Sequence, residues 1–222
     1  MGSARHDSDG RGEKLPRGSH GLPPEFIAYS QRERLFAGMA RVMARQGYAA
    51  TTVDQIASES GVSRKALYTH FSGKEDVLLQ AHRAVVERIV TGAGPAIAEQ
   101  DDWRSSLRVL FDWGLELFAR EPALANLALI EVAAATPASR ALQREMLEKL
   151  RALFEQARAD SDRPIPDIAI DGMLGGMVYA IAKTAENGEA ARLPELRPQL
   201  MAWFALVFDG PRAARRELTG DA

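Results

Sequence analysis

Apolar residues recur at helical spacing through most of this chain, and nowhere do they alternate as a half-buried strand requires. Leu35, Met39, Val42 and Met43 form one stripe, which predicts a helix over about 29–46 that Gly47 stops. Thr52 and Gln55 have the spacing of a capping box, in which hydroxyl and amide reciprocally satisfy orphan N–H groups. A helix starting there buries Val53, Ile56 and Ala57 and ends at Gly61, the residue that most easily turns left-handed. Ser63 is a natural N-cap for the next helix, in which Leu67 and Phe71, four apart, turn inward. Small Ala57 lets these two short helices cross closely. A fourth helix opens at Ser72-Gly73-Lys74, buries Val77, Leu78, Ala81, Val85 and Ile89, and is expected to break near Gly92-Ala93-Gly94-Pro95. Asp101-Asp102 then cap a helix carrying Trp103, Leu107, Leu110 and Phe111 that ends at Glu121-Pro122, with further helices over about 122–135, 137–160 and 166–187. The fold class is therefore all-α.

The inward residues of the third helix fix its outward face. At about 100° per residue, Lys65 and Thr69 lie opposite Leu67 and Phe71, with Ala66 alongside. Arg64 and Tyr68 flank one side of that face, and His70 the other. From Ser63 to Lys74 the only charged residues are Arg64, Lys65 and Lys74, all positive, which suits a surface meeting phosphates. A helix so presented fits the major groove of DNA.

The segment GVSRKALYTHFSGKEDVL, residues 61–78, resembles the signature of the TetR family of one-component transcriptional regulators. The likeness runs from Gln31-Arg32-Glu33-Arg34 through Gly47-Tyr48-Ala49-Ala50-Thr51-Thr52 to Lys74-Glu75-Asp76, about a quarter of the chain. It implies an N-terminal three-helix DNA-binding domain over 29–89, with its helix-turn-helix at 52–71. A larger helical domain for effector binding and dimerisation follows at 90–211, with a tail at 212–222. Residues 1–28, polar and rich in Gly and Pro, read as a disordered arm, of which part resembles a cloning linker. Its Arg11, Lys14 and Arg17 are candidates for minor-groove contact. The DNA-contacting set implied is Thr52, Ser63, Arg64, Lys65, Ala66, Tyr68, Thr69, His70 and Lys74. Tyr68 and Lys74 match the family's phosphate-binding tyrosine and lysine, and Lys65 and Thr69 point most directly at bases.

Two late helices are apolar nearly all round, so each has two faces to bury. Ile170, Met173, Leu174, Met177, Val178 and Ile181 make one face of the first, and small residues the other; the second runs Leu200 to Phe208 before Gly210-Pro211. The resemblance implies that one face of each enters a two-fold four-helix bundle, for which Gly172, Gly176, Ala180, Met201, Ala205 and Phe208 are the candidate dimer contacts. An effector pocket among the middle helices is assigned to Phe111, Trp113, Phe118, Asn126, Met146, Phe154, Met173 and Met177, although most such apolar residues simply fill a core. Asn126 and Glu131 are polar within an apolar stretch and are candidates to orient a ligand.

Composition restricts the remaining choices. A net charge of −2 carries no global signal for nucleic acid, so affinity has to come from a local patch. With no cysteine, a disulfide framework and thiolate metal sites are excluded, which fits a cytoplasmic location. The apolar stretch Met173 to Ala182 is too short to cross a bilayer. The four histidines, His6, His20, His70 and His82, form no metal motif, and no phosphate loop or nucleophile elbow occurs. Neither cofactor nor metal nor enzymatic activity is expected. The chain reads as a homodimeric repressor that binds an inverted-repeat operator in double-stranded DNA and is released by a small apolar ligand. The alternative is a helical ligand-binding or adaptor protein that keeps the helix-turn-helix only as scaffold.

Overall fold

Pro24 occupies the first position of the first helix, where a missing N–H costs nothing and a fixed φ helps, so α1 (Pro24–Ala50) begins ahead of the predicted Tyr29. A computed structural model describes residues 23–220. The arm residues Arg11, Lys14 and Arg17 lie outside them, and the arm reading fails for 24–28, which are helical. Gly47 stops the long helix as expected: its φ of 74° and ψ of 167° suit glycine, and one further turn follows. Then come α2 (Val53–Ser60), α3 (Arg64–His70) and α4 (Lys74–Ala98). Leu35, Met39, Met43, Ile56, Leu67, Phe71, Val77 and Leu78 are buried together beneath them. Phe36 meets Phe71 edge-on, their centroids 5.7 Å apart. α1 and α2 approach closely at Gly38, where an added Cβ would stand 2.0 Å from Ser60 Oγ of α2.

The larger unit comprises α5 (Trp103–Arg120), α6 (Pro122–Ala125), a π-helical segment Asn126–Glu131, α7 (Val132–Ala134), α8 (Pro137–Ala159) and α9 (Asp167–Glu186). A 3₁₀ segment Ala190–Leu196, α10 (Arg197–Phe208) and α11 (Pro211–Thr219) complete it. No strand occurs among the described residues. Rings hold the centre: Phe154 of α8 lies 5.0 Å from Phe204 and 6.4 Å from Phe208 of α10, while Trp103 and Phe111 of α5 close on the same pair.

Three expectations are corrected. α4 does not break at Gly92-Pro95 but runs on to Ala98; Trp113 of α5 sits so close to Gly92 that an added Cβ would be 2.2 Å from its ring. That packing holds the turn through the proline. The supposed tail at 212–222 is largely a helix, α11, started by Gly210 at φ 95° and Pro211 and joined to α5 by an Arg108–Glu217 ion pair of 2.5 Å. The apolar stretch at 173–182 belongs to a 20-residue helix, α9, which by length and composition could span a membrane. Its Met173, Met177 and Ile181 instead pack into the core.

Candidate nucleic-acid interface and cavity

Each turn of the 52–71 unit is held by the contacts its residue types favour. Thr52 Oγ1 accepts from the Gln55 N–H while Gln55 Oε1 accepts from the Thr52 N–H at 2.9 Å, so the capping box is complete. Gly61 ends α2 at φ 60°. Ser63 Oγ caps α3 by accepting the Ala66 N–H at 3.1 Å. With Leu67 fully buried and Phe71 nearly so, the opposite side of α3 is left in solvent: Ser63, Arg64, Lys65, Tyr68 and Thr69 are exposed. Ala66 is half-buried beside them. Arg64 lies 5.6 Å over the Tyr68 ring and donates to both carboxylate oxygens of Asp54, at 3.0 and 3.1 Å. Such an exposed pair contributes little to stability and keeps the guanidinium beside the tyrosine. No carboxylate lies on α3 itself.

Three of the nine proposed contacts are engaged elsewhere. His70 pairs through Nε2 with Gln31 Oε1 at 2.9 Å, tying α3 to α1 instead of facing outward. The Thr52 hydroxyl is occupied within its capping box. Lys74 differs most: its ammonium donates to the carbonyls of Tyr48, Ala49 and Thr51, at 3.1, 3.4 and 2.9 Å, and stands 4.4 Å from the centroid of the Tyr48 ring. Its three donors are thus taken up closing the turn after Gly47. A residue the sequence reading left as a ligand candidate serves the same turn: Glu131 Oε2 accepts the Tyr48 N–H at 2.9 Å, across 83 positions of chain. Asn126, by contrast, keeps a buried Oδ1 with no partner.

Between α4, α5, α8, α9 and the π-helical segment lies a cavity of about 150 Å³. Of the eight residues assigned to an effector pocket, Phe111, Phe118, Met146 and Met177 line it, with Val85, Ile89 and Leu129. The other four assigned residues do not. Trp113 is exposed against Gly92, Phe154 and Met173 are buried in the core, and Asn126 lies off the wall. His82 and Lys149 are the only polar side chains on it, and His82 was not among the residues assigned there. A second, larger space beside α5, α10 and α11 is a charged surface groove. Its Arg104, Arg108 and Arg197 are already paired with Asp209, Glu217 and Asp112.

The candidate dimer residues divide between two environments. On α9, Gly172 is exposed and Ala180 half-buried, but Gly176 is covered by Trp203, whose ring would lie 2.4 Å from an added Cβ. On α10, Met201, Ala205 and Phe208 are buried within the chain, at 1%, 0% and 1% exposure, so they cannot face a partner. The outward apolar residues are Ile168, Tyr179 and Leu206.

The family model for bacterial regulatory proteins of the tetR family matches residues 35–81, which contain α2, α3 and the start of α4. A TetR-family domain therefore occupies residues 35–81. The chain is 32% identical over 108 residues to the HTH-type transcriptional activator FasR of Mycolicibacterium smegmatis, an alignment spanning 49% of each chain. It is 47% identical over 51 residues to the transcriptional regulator YerO of Bacillus subtilis, covering 23% of this chain and 18% of that one. These alignments thus cover half or less of each relative. The fold extends further: the fatty acid degradation regulator FadR of Bacillus halodurans superposes with a TM-score of 0.69 at 20% identity, over 82% of this chain and 97% of the other. FadR of Bacillus subtilis, solved in complex with stearoyl-CoA, gives 0.65 at 19% identity over 81% and 98%. Within the matched domain, α2 and α3 are the helix-turn-helix.

Proposed function

We propose that the chain works as a homodimer that binds an inverted-repeat operator through α3 of each copy, represses transcription there, and is released when a small apolar effector fills the α4 cavity. The observation that carries this reading is the outward face of α3. Arg64, Lys65, Tyr68 and Thr69 are exposed together, without a carboxylate on the helix, on a segment held rigidly from behind by Leu67, Phe71 and the Ser63 cap. Lys65 and Thr69 read bases, whereas Arg64 and Tyr68 meet phosphates. The outward residues of α9 and α10 join the two copies. FasR is named an activator; the sign of control depends on where the operator lies relative to the promoter.

Two routes couple cavity and DNA. α4 carries His82, Val85 and Ile89 on the cavity wall and Lys74 at its start, where the ammonium holds the turn just before α2. The π-helical segment carries Ala128 and Leu129 on the wall and Glu131 on the Tyr48 N–H. An effector that displaces either one moves the reading head. A coupling of about 1–3 kcal/mol alters affinity about 5- to 150-fold.

Selection from a pool of random duplexes is expected to enrich one imperfect inverted repeat, since symmetric recognition helices require symmetric half-sites. Enrichment of no repeat at low salt would overturn this reading in favour of a ligand-binding or adaptor protein.

A further inference from the structure

His82 of α4 is 1% exposed, yet neither of its ring nitrogens has a hydrogen-bond partner. Buried polar groups are nearly always paired, because an orphan forfeits its hydrogen bonds to water without replacement. The residue stands where two spaces meet. It lines the apolar cavity of about 150 Å³ and also a groove of about 330 Å³ between α4 and α8, with both ring nitrogens covered, so a turn of the ring is needed to present one to a bound group. Val86, Val90, Met146 and Lys149 border both. The groove is electrically balanced, with Arg83 and Lys149 set against Glu87 and Glu145, and Lys149 already 3.0 Å from Glu145. Nothing in it selects an ion. Burial lowers the pKa of the imidazole to about 4, so near pH 7 it is neutral, with one donor and one acceptor to offer. A dry cavity of about 150 Å³ walled by aliphatic and phenyl groups takes a body the size of benzene.

We propose that His82 is the polar anchor of the effector site, and that the effector is a neutral molecule whose ring-sized apolar body fills the cavity while its hydroxyl or carbonyl bonds the imidazole. This assignment rests on the effector reading above and narrows it to a chemical class. Both halves of the site contribute to selection. The cavity wall rewards the apolar body, and a ligand lacking the polar group leaves His82 without a hydrogen-bond partner. A carboxylate would have to be desolvated against a neutral ring beside a groove whose two cations are matched by two carboxylates. Since the anchor sits on α4, the helix that begins at Lys74, occupancy acts directly on the element that supports the turn before α2.

The test uses three probes of like shape on the full chain: benzyl alcohol, ethylbenzene and benzoate, titrated calorimetrically and by the ¹⁵N shifts of the His82 ring. Benzyl alcohol is expected to bind at least about tenfold tighter than ethylbenzene, the order of one buried hydrogen bond, with benzoate weakest. The His82 nitrogens should shift with benzyl alcohol and remain in place with ethylbenzene. In His82→Leu, ethylbenzene should bind as well as before or better while the preference for the alcohol disappears. The ring-nitrogen shifts in the unsubstituted chain decide the matter even if His82→Leu fails to fold. If benzyl alcohol and ethylbenzene bind alike and the ring nitrogens do not respond, the anchor assignment falls while the effector cavity stands. If no probe binds, both fall.

Discussion

Leu206→Glu is expected to convert the dimer to monomers and to lower operator affinity by at least about a thousandfold, the interval that commonly separates specific from non-specific binding. Leu206 is 44% exposed on α10, beside α9 with its Tyr179 at 64% and Ile168 at 73%. In a lone chain these are apolar side chains in water, and in a two-fold assembly each substitution appears twice and faces its own symmetry mate or a close neighbour. A single half-site cannot supply the contacts of two. Ala205→Glu, one residue away, has a different outcome. Ala205 is fully buried within its own chain, so a carboxylate there is an uncompensated charge in the core and should unfold the protein. Light scattering combined with thermal melting separates the two cases: Leu206→Glu should be folded and monomeric, Ala205→Glu unfolded. A Leu206→Glu protein that remained dimeric would place the interface elsewhere.

Acid should weaken the fold before most of its carboxylates protonate, because of His82; Glu33, whose pKa burial raises, is an exception. Burial moves the pKa of the imidazole from 6.5 to about 4 in the folded chain, and the unfolded chain keeps the ordinary value. Above 6.5 both states are neutral at this residue and stability does not depend on it. As pH falls from 6.5, the unfolded state takes up a proton that the folded state refuses, so stability declines until about pH 4, where the folded residue protonates as well. At about 1.4 kcal/mol for each tenfold change, that interval costs about 3 kcal/mol. Carboxylates held below their ordinary range lose their contribution lower down. Among them are Glu59, bonded by Arg41 and Arg45, and Asp102, which burial opposes but the Ser105 and Arg104 N–H groups hold down. Denaturant midpoints measured between pH 7 and pH 4.5 should fall steadily in the unsubstituted protein and stay nearly level in His82→Leu. Equal slopes would show that His82 titrates normally.

What the sequence made legible was local. The Thr52–Gln55 box, the Gly61 stop and the Ser63 cap are each decided within about one turn of chain, and all three form as read. The inward pair Leu67 and Phe71 then determines which way Lys65 and Thr69 point. What it concealed depended on distant partners. Lys74 looks like a free lysine at a helix start until the chain folds the 48–51 turn against it. The Glu131 bond to Tyr48 joins segments 83 residues apart. The covered side of α10 is hidden for a related reason: a helix apolar all round has no period to say which side is covered. The cover on one side includes α11, whose residues 212–219 lie within the stretch read as tail. His82 passed unnoticed because a lone histidine on an apolar stripe carries no local sign of lacking a partner.

If the exposed face of α3 reads bases, Lys65→Ala should change which bases are preferred. Selection from random duplexes should be run in parallel with the unsubstituted protein and with this variant. Both should recover the same inverted repeat, but the variant should lose preference at the same position or positions in each half-site, at about 1–3 kcal/mol per base contact. A variant consensus identical to that of the unsubstituted protein at every position would contradict base reading by α3.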